Sequence, residues 1–335
     1  MPSIHRRGFL QLAGGTAGLC LAWPHTAVAQ DSFPTKPLTL IVPYPAGGAS
    51  DVSARIFAAS ITQSLNQQVV VENLGGGTGL IGANKLLSSP ADGYTFFHGS
   101  ANEVFLAPLL NPAARYKPQD FMLAAPTGEA TLVLLVKHDL PARSIDELLQ
   151  VAKSRKDKPL TYASVGIDSL YHLMGDALAL QTGTQLLHVP YKGGAPALQD
   201  VAGGQVDFAI LPYQASFEGM QEQGRLRILT SFSKTLPKTL AHIPLISSSK
   251  LVPDFEYTIG GGYFVRRGTP AARVQALRKA VGEALAKPEI RGKLEQEGRN
   301  VAQPIADQAQ ADRVFDQQLD RVARLVKTVG RPVNG

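Results

Sequence analysis

Short apolar runs alternate with amphipathic stretches from Pro37 onward, a rhythm that predicts strands interleaved with helices. Leu38-Thr39-Leu40-Ile41-Val42 reads as a buried strand closed by Pro43 and Pro45. Gly47-Gly48 then opens a helix from about Asp51 to Leu65, with Val52, Ile56, Ala59 and Leu65 inward. Gln68–Val71 is a second strand, followed by Gly75-Gly76-Gly77 and a helix over Gly79–Leu87. Pro90-Ala91-Asp92-Gly93 is a turn, and Tyr94–Phe97 a third strand that ends at Gly99-Ser100.

The same rhythm continues through the second half. Leu132–Val136, Leu160–Ala163, Leu186–Val189, Val206–Leu211, Arg227–Thr230 and Gly262–Val265 read as strands. Ser144-Ile145-Asp146-Glu147 matches a capping box that starts a helix reaching about Ser154. Ser169–Gln181 is a helix stopped at Thr182-Gly183, and Ala195–Ala202 a shorter one. Thr269-Pro270 caps a helix with Val274, Leu277, Val281 and Leu285 on one face. Phe315, Leu319, Val322, Val326 and Val329 form the stripe of a final helix, expected to pack on the fold rather than bind a partner. The Pro- and Ser-rich stretch 234–253 is expected to be a loop.

The first 29 residues break this pattern. Arg6-Arg7-Gly8-Phe9-Leu10, a weakly apolar run to Trp23 and Ala27-Val28-Ala29 together predict a cleaved export signal of twin-arginine type. Its removal would take the single cysteine, Cys20, and the single tryptophan, Trp23, with it. The formal charge of +6 would fall by the two arginines, leaving a mildly basic periplasmic chain that cannot rely on disulfides. No later stretch has 18 uninterrupted apolar residues, so a membrane span is not expected.

Four predicted strands end in small or glycine-rich turns: Tyr44–Ser50, Gly99–Asn102, Ser164–Gly166 and Tyr191–Gly194. In open α/β sheets ligands bind beyond the carboxyl ends of strands, and helix N-termini there offer free N–H groups to an anion. Two such sets, one per half, would grip a carboxylate from both sides. Gly77-Thr78-Gly79-Leu80-Ile81-Gly82 offers a competing chemistry, a G-x-G-x-x-G with Glu103 about 20 residues on. It would suit an exported NAD(P)-dependent oxidoreductase. Glu72-Asn73-Leu74 weakens that alternative, because it separates the strand from the glycines. No nucleophile elbow, P-loop or zinc-protease motif is present, and His98, His138, His172, His188 and His242 lack metal-ligand spacing. The basic run Lys153–Lys158 has no interleaved aromatics, which argues against nucleic acid. Neither cofactor nor metal nor catalysis is expected.

With these turns in place, the chain resembles the Bug-type solute receptors, the extracytoplasmic binding components of tripartite tricarboxylate transporters. The resemblance rests on Val42–Gly48 with Asp51 and Arg55, on Val70–Asn73, and on Pro90–Thr95. In the second half it rests on Tyr162-Ala163-Ser164 with Gly166, His172-Leu173, Val189–Ala197, Gly203–Asp207 and Gly268-Thr269-Pro270. It implies an α/β, two-domain periplasmic binding protein type II fold with an interdomain cleft. Residues 30–131 plus 255–335 would form one domain and 132–254 the other, with crossings near Leu132–Val136 and Gly262–Val265.

Carried over by position, Tyr44, Ala46, Gly47, Gly48, Ser50, Ser100, Ala101 and Asn102 would contact the ligand from the first domain. Ser164, Gly166, Asp168, Ser169, Tyr191, Lys192, Gly193 and Gly194 would do so from the second. The implied partners are a small carboxylated solute and a transporter membrane component or a sensor protein, with the receptor itself a monomer. Leu74-Gly75 departs from a usual Arg-Pro pair, and Gly260-Gly261-Gly262 stands where an aromatic is common. Asp168 and Tyr213-Gln214 fall at variable positions facing the far end of the ligand; Asp168 is also expected to cap the following helix.

Overall fold

A computed structural model describes residues 33–333; the predicted export signal and its cleavage site lie outside them. In chain order the strands are β1 (Leu38–Val42), β2 (Val69–Asn73), β3 (Thr95–Ser100), β4 (Phe121–Lys137), β5 (Leu160–Ser164), β6 (Leu186–Pro190), β7 (Phe208–Pro212), β8 (Leu226–Ser231), β9 (Thr258–Arg266) and β10 (Arg299–Val301). The helices are α1 (Ala49–Leu65), α2 (Leu80–Ser88), α3 (Ala107–Leu110), α4 (Ile145–Ser154), α5 (Leu170–Thr182), α6 (Gly194–Ala202), α7 (Ser216–Glu222), α8 (Ala271–Ala286), α9 (Pro288–Gln296) and α10 (Gln308–Thr328).

The strands join in the order β2-β1-β3-β9-β4-β7-β5-β6, with β8 and β10 also on β4. Parallel pairing links β1 to β2 and β3, and links β5 to β6 and β7. Each half therefore holds a central strand where the chain winding reverses, the place at which an α/β sheet leaves a crevice at its carboxyl edge. Strand β1 is covered on both faces, which explains why only Thr39 interrupts its apolar run. Leu38, Leu40 and Val42 pack with Phe57 of α1 and Leu277 and Val281 of α8, while Ile41 joins the cluster holding Leu86 of α2. Tyr263 sits edge-on to Phe57 and Phe96 at ring distances of 5.4 and 5.5 Å, closing that layer.

Strand β4 is longer than the apolar run Leu132–Val136 predicts. Its first part, Phe121–Thr131, pairs with β9, and Gly128–Ala130 also pair with β10 on the other side. From Leu132 the partners become β7 and β8. Pro126, Thr127, Gly128 and Glu129 interrupt the hydrophobic pattern, and the register with β9 shifts there, so periodicity alone does not reveal this part. Just ahead of β9, the Tyr257 N–H bonds the Phe232 carbonyl at 2.8 Å. Gly262–Val265, near which a crossing is expected, pair with β3 and the first part of β4.

Local chemistry sets the helix ends. Ser144 accepts the Glu147 N–H, and the Glu147 carboxylate reaches back to the Arg143 N–H at 2.7 Å, a capping box displaced by one residue. Pro270 precedes α8 as its N-cap rather than opening it as the first helical residue. Ser169, not Asp168, caps α5: its hydroxyl accepts the His172 N–H, while Asp168 stands in left-handed backbone at φ 59°. The final helix packs as expected, with Phe315 edge-on to Phe105 at 4.9 Å. Arg321 bonds Glu129 at 2.7 Å from the exposed face.

At Gly128 (φ +120°) a Cβ would fall 2.2 Å from the Asn300 carbonyl oxygen in β10. Gly128→Ala is expected to lose about 3 kcal/mol, combining backbone strain with overpacking. Urea unfolding checks this, and a loss below about 1 kcal/mol would show that β10 can yield.

Candidate functional site

The turn after β1 is built by its own hydrogen bonds. Asp51 accepts the Gly47 N–H at 2.9 Å, the Arg55 Nε–H at 3.1 Å and the Asn73 amide at 3.0 Å. Burial pushes the Asp51 pKa up, but bonds from Arg55, Gly47 and Asn73 outweigh it and hold the carboxyl below its ordinary value. Gly47 adopts the left-handed φ of +81° that lets the chain turn into α1. Gly48 then stands at the N-cap without a side-chain cap, leaving the first N–H groups of α1 free of one.

The turn after β6 repeats the arrangement: Gly193 precedes α6, again with no side-chain cap. The two turns meet. A Cβ on Gly48 would lie 3.9 Å from the Ala195 nitrogen, and one on Gly193 would lie 2.6 Å from the Pro45 ring. Two uncapped helix N-termini thus face one space, each contributing positive dipole character.

Three hydrogen bonds close the mouth across the two halves. The Gln214 amide donates to the Gly47 carbonyl at 3.1 Å, and Thr78 Oγ1 donates to the Ile167 carbonyl at 2.8 Å. The Leu170 N–H donates to Asn102 Oδ1 at 2.8 Å, while the Asn102 amide donates to the Tyr44 hydroxyl at 3.2 Å.

Two cavities of about 30 Å³ each remain inside, sharing Tyr44, Ser50, Tyr171 and Pro212 as walls. The helix-end cavity adds Gly48, Ala49, Gly194 and Gln214. The other adds His98, Ser100, Glu103 and Arg299, with backbone from Gly99, Gly260 and Gly261. A larger space of about 770 Å³ lies along α10, where Arg321–Glu129 and Lys234–Glu256 ion pairs stand. Of the expected contacts only Ala101 borders it, and no uncapped helix start opens into it, so the smaller cavities are the better candidate despite their size.

The expected residues divide accordingly. Tyr44, Gly48, Ser50, Ser100 and Gly194 come together around the two cavities. Ala46 and Gly47 are exposed at the rim, and Lys192 is exposed. Ser164 bonds Gly166 inside its own turn and His188 of β6, and Ser169 donates to the Gly166 carbonyl. Tyr191 spends its hydroxyl on Asp200 at 2.6 Å. Asp168 lies beside His172 and Arg331, at 3.9 and 3.8 Å, and borders neither cavity. Ser164, Gly166, Asp168, Ser169 and Tyr191 thus shape or flank the second half's turns, and Gly193 packs on Pro45.

Sequence reasoning missed His98, Tyr171 and Arg299 as site residues, and took Glu103 only as the acid of a dinucleotide motif. A lone acid in the apolar run Val104-Phe105-Leu106 was a usable signal; Arg299 follows Gly298 with no pattern around it. The geometry gives the dinucleotide alternative no support. Glu103 Oε2 is taken by the Ser100 N–H and hydroxyl at 2.7 and 2.8 Å, and a Cβ on Gly79 would fall 2.2 Å from the Glu103 side chain. The glycines form a tight turn with Thr78 tied to Ile167. Among the described residues no His, Cys, Asp and Glu cluster could hold a metal ion, and no helix is long and apolar enough to cross a membrane.

His98 is neutral here: burial first, then the Arg299 charge, drives its pKa from 6.5 to about 3, against the Ser50 carbonyl bond. Since that carbonyl only accepts, Nδ1 carries the proton. The unfolded chain takes up a proton below about pH 6.5 that the folded one refuses until about pH 3, so stability falls with pH in that window. His98→Gln is expected to lose less Tm than the unmodified protein between about pH 7 and about pH 5. Equal losses in thermal melts would remove His98 from this linkage.

A family model for the tripartite tricarboxylate transporter family receptor matches residues 53–331. A protein from the tcbD-tcbE intergenic region of Pseudomonas sp. (strain P51) is 33% identical over 314 residues, spanning 92% of each chain. The structure of periplasmic binding protein BugD superposes with TM-score 0.82 at 30% identity, covering 90% of this chain and 99% of that one. Rpa4515 of R. palustris, solved with adipate, gives TM-score 0.83 at 29% identity over 89% and 98% of the two chains. MatC of Rhodopseudomonas palustris, solved with malate, gives 0.80 at 25% identity over 88% and 100%. The fold is that of the two-domain periplasmic binding proteins, and the chain belongs to the tripartite tricarboxylate transporter receptor family as a Bug-type receptor.

Proposed function

We propose that this protein is an extracytoplasmic receptor that captures a small carboxylated solute between two hinged halves and does no chemistry on it. The observation that carries this is the meeting of two uncapped helix N-termini, those of α1 and α6, at one closed space. Backbone N–H groups and helix dipoles suit a carboxylate at that point and provide neither a nucleophile nor a base for turnover. Relatives solved with adipate and malate support the ligand class.

Residues 30–131 with 255–335 would move as one body and 132–254 as the other. The change of partners in β4 at Thr131–Leu132 and the Tyr257 bond to Phe232 ahead of β9 support hinges there. The twin-arginine-like leader would deliver the chain to the periplasm and be cleaved after Ala29. As a monomer, the loaded receptor would then meet a transporter membrane component or a sensor protein.

The reading is tested by thermal shift across a carboxylate panel and by native mass spectrometry of co-purified solute. Stabilisation by NAD(P) with no response to any carboxylate would overturn it. Gly48 has ordinary φ of −84°, so a side chain is tolerated by the backbone and would project between the two helix starts. Gly48→Val is expected to weaken solute binding by about 100-fold or more, with Tm nearly unchanged. Unaltered affinity in calorimetry would take this turn out of the site.

A further inference from the structure

One of the two small cavities holds a charge that the fold leaves unpaired. Arg299 is 7% exposed, and its guanidinium donates to the Ala49 carbonyl at 3.1 Å. Among the described residues no carboxylate forms an ion pair with it; Glu297 acts on it only at longer range. A guanidinium keeps its charge in proteins, so burying one without an anion is costly. Its bond to Ala49, at the first turn of α1, places that charge beside the helix end where the solute's carboxylate is proposed to sit.

Across the same cavity stands an acid. Glu103 is fully buried and borders the space with Arg299, neutral His98, Tyr44 and Tyr171. Ser100 satisfies Oε2, while no donor reaches Oε1 with hydrogen-bond geometry. The Tyr44 phenol beside this carboxyl favours its ionised form, yet burial prevails and the pKa is raised. A second solute carboxylate directed at this wall would meet a buried acid; an ammonium would find a partner there and hold Glu103 ionised.

From this wall of opposite charges, and resting on the receptor function above, we propose that the cleft selects a small amino carboxylate. Its carboxylate lies between the α1 and α6 starts within reach of Arg299, and its ammonium faces Glu103. Each cavity has about the volume of one liquid water, so the solute enters with the mouth open and the halves close over it.

Calorimetry on the full mature chain tests this, using glycine, alanine, 4-aminobutyrate and glutamate beside butyrate, succinate and adipate. At least one amino carboxylate is expected to bind about 100-fold more tightly than butyrate and than either amine-free dicarboxylate. Glu103→Gln should lose about 100-fold for that amino carboxylate while succinate or adipate is held as well or better. Arg299→Met should weaken every carboxylate. A dicarboxylate or plain monocarboxylate that outbinds all the amino carboxylates overturns the proposal and leaves the receptor function standing. Binding of none of these acids, with NAD(P) bound instead, overturns both. The ligand panel on the unmodified protein separates these outcomes even where a variant fails to fold.

Discussion

Every other part of the molecule depends on β4 bonding to two sets of neighbours along one strand. Its first part must satisfy β9 and β10, and its second part β7 and β8, with the change made over Thr131 and Leu132. Buried backbone groups that lose one partner must gain another, so the two halves cannot be separated without exposing this strand. The glycine at position 128 relieves the crowding on the β10 side, and the shift of register with β9 absorbs the bend. Because β4 is shared, the crevices at the carboxyl edges of the two halves are brought against each other.

That placement converts ordinary loop geometry into a site. A glycine-ended turn before a helix is common in α/β proteins, and each alone presents a few free N–H groups. When Gly48 and Gly193 are set against each other, the partial charges of α1 and α6 add over one small volume. The aromatic walls, Tyr44 and Tyr171, keep the dielectric low there, and burial lifts both phenols above their usual pKa, so neither ionises at physiological pH.

Much of the frame was legible because its elements are locally consistent. The apolar run of β1, the Ser144 cap, the stop at Gly183 and the stripe on α10 each follow from periodicity or capping alone. What stayed hidden was set by tertiary contact. The first part of β4 has its strand pattern broken by Pro126, Gly128 and Glu129, α9 buries only Ile290 and Leu294, and β10 is three residues long. In the site, the backbone donors of Gly48 and Gly194 were legible as turn glycines. Arg299 was not, since it approaches from a strand some 250 residues away from its partner Ala49. Asp168 illustrates the opposite error: an acid before a helix suggests a cap, yet the neighbouring Ser169 takes that position.

The Asp51 carboxylate accepts the N–H of Gly47, the outermost donor of the first turn, and it is held there by Arg55 and Asn73 as well. A carboxylate of the chain itself therefore fixes this turn, and the cost of ordering the loop falls at folding rather than on any solute that docks against it.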